Sequence, residues 1–64
     1  MINHDIEKVE KNGEIIVVKH DIKGVDNAIM IAETFKENDV DSIYRIHEFD
    51  TNNNHYDYYK VVWQ

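Results

Sequence analysis

Two runs of residues, 2–11 and 14–22, flank Asn12-Gly13 near the start of the chain. Asn-Gly favours a two-residue type I′ turn, because both central positions of that turn need a positive φ. The sequence therefore predicts an antiparallel hairpin in which Val9 lies opposite Ile16. The second run has four successive apolar residues at positions 15–18. This pattern is typical of a central strand that is covered on both faces.

A second pattern follows Gly24, where apolar residues recur every three or four positions. This spacing predicts a helix that buries one stripe of side chains against the rest of the fold. Met30 falls outside the stripe, on the polar side of the predicted helix, and methionine is common on contact surfaces. The stripe consists of Val25, Ala28, Ile29, Ala32 and Phe35.

Residues 42–49 and 56–63 form two further runs, both rich in aromatic and β-branched residues, and these predict strands. The polar segment 50–55 is predicted to be the loop of the hairpin that joins them. The element order is then β-β-α-β-β. We therefore expect a single α+β domain over residues 1–64, with a four-stranded antiparallel sheet and one helix packed on one face.

Alternation along each strand predicts which side chains the helix covers. The set expected under the helix is Ile16, Val18, Tyr44, Ile46, Tyr59, Val61 and Trp63. The set expected on the opposite face is Ile6, Ile15, Val17, Arg45, His47, Phe49, Tyr56, Tyr58, Lys60 and Val62. Both sets contain large apolar residues, so the face without a helix is too apolar for ordinary surface. It is expected to pack against a second copy of the chain or against another protein.

The size and composition of the chain exclude several classes of protein. It has 64 residues, no Cys, and 13 acidic against 7 basic residues, for a formal net charge of −6. Without Cys it has no disulfides, no thiolate nucleophile and no Cys-based zinc site. A domain of about 60 residues buries only about 60% of its unfolded surface, so a homodimer or a binding partner is expected to add stability. The sequence shows neither a membrane-spanning run nor a signal peptide pattern, and the expected location is cytoplasmic.

The sequence offers little that is typical of an enzyme. Its four histidines lack the HxH, HxxxH and HExxH spacings that indicate metal sites, so no metal or other cofactor is predicted. There is no nucleophile elbow and no glycine-rich phosphate loop. A chain this short also leaves little volume for a deep pocket. We therefore predict a protein without enzymatic activity.

Carboxylates gather after the predicted helix and around the first hairpin, and this pattern suggests a function. Closely spaced carboxylates can imitate a row of phosphates and occupy the basic, nucleic-acid-binding site of another protein. The sequence thus predicts a non-enzymatic interaction module of the inhibitor type that acts as a DNA mimic. Its candidate partner-binding residues are Glu33, Glu37, Asp39, Asp41, Glu10 and Glu14, with Met30, Tyr56 and Tyr58 as apolar anchors.

Two other interpretations remain open. The charge could serve solubility alone, in a homodimeric structural or accessory protein. The aromatic sheet face could instead stack single-stranded nucleic acid, although a net charge of −6 disfavours phosphate binding. In its length, acidity, lack of Cys and element order, the chain resembles small host-directed proteins encoded by phages of low-GC bacteria. Such proteins include inhibitors of nucleic-acid-binding enzymes, and the resemblance assigns no functional residue.

Overall fold

Four strands and one helix follow one another in the predicted order. The computed structural model describes residues 1–62, so Trp63, which was predicted for the last strand, lies outside the described residues. The α+β fold class and the β-β-α-β-β order are confirmed. The elements are β1 (Ile2–Val9), β2 (Ile15–Ile22), α1 (Val25–Asn38), β3 (Ile43–Asp50) and β4 (Asn53–Val61).

The sheet has the strand order β2-β1-β3-β4, and all three neighbouring pairs are antiparallel. The central strands β1 and β3 lie under α1, while β2 and β4 form the two edges. Gly24 starts the helix at a φ of 89°, a conformation that favours glycine. Its carbonyl then accepts the first helical hydrogen bond, from the Ala28 N–H at 3.1 Å.

The first hairpin differs from its prediction by one residue. The Glu10 N–H bonds the Glu14 carbonyl at 2.8 Å, and the Gly13 N–H bonds the Glu10 carbonyl at 2.9 Å. Among the described residues Gly13 has a positive φ of 89° and Asn12 does not, which excludes a type I′ turn. The Asn12 side chain instead accepts a 2.9 Å hydrogen bond from the Glu14 N–H and closes a three-residue loop.

This longer loop shifts the pairing, so Val9 lies opposite Ile15 instead of Ile16. Ile6 was expected on the face away from the helix, but it is fully buried in the core. The prediction was wrong because a one-residue slip moves every side chain of a strand to the other face. The core beneath the helix consists of Ile6, Ile22, Ala28, Ala32, Tyr44 and Ile46, the last two as predicted.

The face assignment of β4 is also reversed. Ile46 lies opposite Lys60, so Lys60 is on the helix side, and Val62 packs against the core. Tyr59 lies opposite His47, so Tyr59 is on the other face of the sheet. The expected assignment failed because the pairing of β3 with β4 is irregular after Phe49, which changes the register of the hairpin. The residues on the face opposite to the expected one are Tyr56, Tyr58, Tyr59, Lys60, Val61 and Val62.

The apolar run in β2 is not central. β2 is an edge strand, and Ile15, Ile16 and Val17 are 39%, 41% and 37% exposed. The prediction failed because α1 covers β1 and β3, and residues 1–62 provide no second layer for the other face. Only Val18 of the run packs against the core. The molecule therefore leaves an apolar strand at the rim of its sheet.

Candidate functional site

A groove lies between the turn of the first hairpin and the connection from α1 to β3. Its volume is about 760 Å³. The groove brings Glu10, Glu14 and Asp41 together, although Asp41 is far from the other two in the sequence. We call this feature the hairpin groove, and it is lined by Val9, Glu10, Lys11, Asn12, Glu14, Ile16, Asp41, Ser42 and Ile43.

Aliphatic residues line the same groove as these carboxylates. Ile16 and Ile43 line the hairpin groove and are 41% and 52% exposed. Val40, in the connection just before Asp41, is 64% exposed. Apolar residues bordered by charged ones are the usual composition of a protein–protein contact surface. The hairpin groove therefore offers both apolar contact area and carboxylates.

Asp39 has a structural role beside the hairpin groove. Its Oδ2 accepts a hydrogen bond from the Tyr44 hydroxyl at 3.0 Å and lies 3.3 Å from Lys8 Nζ. Hydrogen bonds from Ser42, Tyr44 and Lys8 hold the pKa of Asp39 below its ordinary value. Lys8 Nζ also lies 3.7 Å from a Glu10 carboxylate oxygen. Lys8 therefore offsets part of the negative charge that the sequence places here.

The other predicted carboxylates lie on α1. Glu37 is exposed in the last turn of the helix, and Glu33 is exposed one turn earlier. Lys36, between them, donates hydrogen bonds to the carbonyls of Val40 and Ser42 and braces the connection to β3. The structure thus gathers Glu10, Glu14 and Asp41 in the groove and leaves the helix pair outside its lining.

The predicted apolar anchors lie elsewhere. Met30 is 61% exposed and lines a separate apolar depression on α1 of about 410 Å³. The rings of Tyr56 and Tyr58 meet edge to face at 4.7 Å, and the Tyr56 hydroxyl donates to Glu48 at 3.1 Å. Glu48 lies five residues along β3 from Ile43, or about 17 Å. The tyrosine pair is therefore not part of the hairpin groove.

Sequence reasoning missed an ion-pair network on the face of the sheet away from α1. Glu7 is only 7% exposed there, and its carboxylate accepts a 2.6 Å hydrogen bond from Arg45 Nε. His47 lies between two carboxylates, with Nδ1 3.6 Å from Glu7 and Nε2 2.7 Å from Asp57. The β1–β3 register brings Glu7 to Arg45 and His47, and the β3–β4 register adds Asp57; no local motif signals either register.

The aromatic residues of this face stack on the same network. The Arg45 guanidinium lies 4.3 Å from the centre of the Tyr59 ring, and His47 stacks on that ring at 4.6 Å. Arg45 is already paired with a carboxylate, so a phosphate would have to compete with Glu7 for it. This pairing weighs against single-stranded nucleic acid as the ligand of the face.

The remaining histidine contacts are structural. His4 is 3% exposed, with Nδ1 3.3 Å from the Ile22 carbonyl oxygen and Nε2 3.1 Å from Glu48. Within residues 1–62, no three His, Cys, Asp or Glu side chains are grouped in a way that could hold a metal ion. The same part of the chain has no helix that is long and apolar enough to cross a membrane.

Comparison with known proteins does not indicate a function. No family model, no curated protein and no solved structure matches the chain. The observations that bear on function are therefore the hairpin groove, the paired charges of the open sheet face and the apolar edge of β2.

Proposed function

We propose that this protein is a non-enzymatic interaction module of the inhibitor type, which places its hairpin groove on a basic, nucleic-acid-binding surface of a partner protein. The observation that carries the proposal is that Glu10, Glu14 and Asp41 line one groove together with the exposed Ile16 and Ile43. Carboxylates gathered in one groove attract a surface that evolved to bind phosphates. The aliphatic residues add contact area that becomes dry on binding.

The two parts of the hairpin groove have different roles in this proposal. Exposed carboxylates accelerate encounter and select a basic partner, but each contributes little to affinity after binding. Buried apolar contacts at the centre of an interface supply most of its stability. Ile16 and Ile43 are therefore the expected anchors, with Glu10 and Glu14 as the steering charges.

The test begins with capture of partner proteins from a lysate of the native host, followed by mass spectrometry. We expect a nucleic-acid-binding protein, and we expect an excess of duplex DNA to release it, because both ligands would occupy one site. The Glu10→Lys/Glu14→Lys variant should lose the partner while keeping its circular dichroism spectrum. A partner that duplex DNA fails to release would contradict mimicry.

A matched control uses the two exposed acids of the helix. Glu33→Lys/Glu37→Lys changes the net charge by the same amount and lies outside the groove lining. It should retain the partner if the hairpin groove is the contact. Loss of binding in both variants would extend the contact onto α1, and loss in the helix variant alone would contradict the assignment to the groove.

A further inference from the structure

The outer edge of β2 is protected at one end and unprotected at the other. Natural sheets protect their edges with bulges, charges or Pro, because a free edge can pair with another strand. The half of β2 that is distant from the hairpin turn has such features. Its pairing with β1 contains register shifts, Lys19 is charged, and Asp21 has a φ of 56°. The near half, 15–17, pairs regularly with β1 and has no charged side chain.

The hairpin turn determines which residues of 15–17 direct their backbone N–H and C=O groups towards β1. Glu10 and Glu14 share the hydrogen bond that closes the hairpin. Bonded and non-bonded pairs alternate along an antiparallel ladder, so Ile16 directs its backbone groups towards β1. Ile15 and Val17 then direct their N–H and C=O groups outwards, where the described chain supplies no neighbouring strand.

We propose that this edge pairs antiparallel with β2 of a second copy of the chain, with the twofold axis at Ile16. In that register Ile15 lies opposite Val17 of the partner subunit, and both residues have outward backbone groups. Each such pair exchanges two hydrogen bonds, so the symmetric contact contains four. The Ile16 side chains of the two copies then meet at the axis as a non-hydrogen-bonded pair.

A second copy fits this edge for two reasons. The outward N–H and C=O groups of Ile15 face those of Val17 of the partner subunit, so two copies can pair without a register slip and without an inserted residue. The segment is also neutral, and two chains of charge −6 repel each other least where charged side chains are absent. The contact involves only residues 15–17 of each copy, so we expect it to bury less than the 1,200–2,000 Å² of a typical stable interface. Dissociation in the micromolar range is therefore expected, at about 1–100 µM.

The dimer does not depend on the proposed function, but it would affect the same region. Ile16 lines the hairpin groove, so the twofold axis would set two grooves side by side. The β2 edges would form one continuous eight-stranded sheet with both helices on the same side. Two sets of groove carboxylates would then border one extended surface.

The absence of Cys allows a direct test of the register. Ile16→Cys places two thiols at the axis with Cα atoms about 4.5 Å apart, a distance that a disulfide can span. Ile15→Cys is the matched control, because Ile15 is 39% and Ile16 41% exposed. Its Cα would lie about 7–8 Å from that of Ile15 of the partner subunit, outside the usual disulfide range.

We expect Ile16→Cys to form a disulfide-linked dimer under mild oxidation at least about tenfold faster than Ile15→Cys, because rate follows the fraction of time in bonding geometry. Equal rates would overturn the register.

The wild-type protein should show a monomer–dimer equilibrium in sedimentation, and Val17→Pro should abolish it without loss of fold, because the N–H of Val17 faces outwards. A wild-type monomer at about 200 µM would overturn self-pairing and leave a strand of another protein as the occupant of the edge.

Discussion

At the residue scale, the pairing of Glu7 with Arg45 is the most consequential contact on the open face of the sheet. Glu7 is almost buried, and Arg45 supplies its shortest hydrogen bond. Removal of one partner leaves a desolvated charge, whereas removal of both does not. The pair should therefore behave as a unit when it is mutated.

We predict that Arg45→Gln lowers the free energy of unfolding by about 1–3 kcal/mol, because the Glu7 carboxylate loses its guanidinium partner. Urea denaturation measures the effect. The double variant Glu7→Gln/Arg45→Gln should recover part of the loss, which a double-mutant cycle would show as coupling. Strict additivity of the two single changes would mean that the ion pair contributes nothing.

A second prediction concerns Asp39, whose pKa is lowered by its hydrogen bonds with Ser42, Tyr44 and Lys8. A carboxyl whose pKa falls on folding stabilises the protein above its ordinary pKa. That contribution is lost as the pH falls through the lowered value. Asp39→Asn should thus reduce stability at neutral pH and flatten the decline of stability in acid.

The measurement is the urea midpoint at neutral pH and at about pH 3. Asp41→Asn is the control, because Asp41 is an exposed neighbour of the same chemical type. We expect the acid dependence of stability to change in the Asp39 variant and to stay like that of the wild type in the control. A change of acid dependence in the Asp41 variant, with none in the Asp39 variant, would contradict the prediction that Asp39 is the acid-sensitive residue.

At the scale of elements, the first hairpin is specified by two residues that the sequence identified for a partly wrong reason. Gly13 has a φ of 89°, and a Cβ built on it would meet no atom within 4 Å. The requirement for glycine is thus one of backbone conformation alone. Asn12 contributes its side-chain oxygen to the loop instead of a positive φ.

We predict that Gly13→Ala destabilises the protein by about 1–2 kcal/mol, the usual cost of a left-handed residue with a Cβ. Gly13→Asn should cost less, because Asn tolerates this conformation. Thermal unfolding of the two variants makes the comparison. An alanine variant as stable as the asparagine variant would show that the loop relaxes to another φ.

The types and order of elements follow from the sequence because their signals are local. Spacing of apolar residues predicts α1, and runs of aromatic and β-branched residues predict β3 and β4. The register of the strands is not determined by a local signal, because Asn12-Gly13 is compatible with both a two-residue and a three-residue loop. The one-residue difference hid the core position of Ile6 and the pairing of Glu7 with Arg45.

The candidate site was predictable to a similar degree. The sequence identified Glu10, Glu14 and Asp41 as acidic residues near turns, and the fold gathers them in one groove. It could not show that Lys8 offsets the charge of Asp39, because that contact joins β1 to the end of the helix. Nor could it separate the tyrosine pair from the groove, since that requires the direction of β3.

At the scale of the whole molecule, the charge of −6 is unevenly distributed. Cations of the central strands are paired with carboxylates, as in Lys8 with Asp39 and Arg45 with Glu7. Much of the acidity therefore remains at the periphery, around the first hairpin and the end of α1. A basic partner would experience this field before any contact is made.

We predict that the association rate with the partner falls at least about tenfold between low salt and about 0.5 M salt, because salt screens exposed charges. The dissociation rate should change much less. Surface plasmon resonance at several salt concentrations separates the two rates. A salt-independent association rate would favour the interpretation in which acidity serves solubility only.

The strand order has a consequence for how the chain folds. Two hairpins, β1–β2 and β3–β4, are each local in sequence, but the sheet is completed only where β1 meets β3. That seam pairs Ile2 with Asp50 and Val9 with Ile43, across more than half of the chain. Closing so long a loop is slow compared with forming either hairpin. The seam is therefore the expected rate-limiting step of folding, and a ribosome must release β3 before the first hairpin can bury its apolar face.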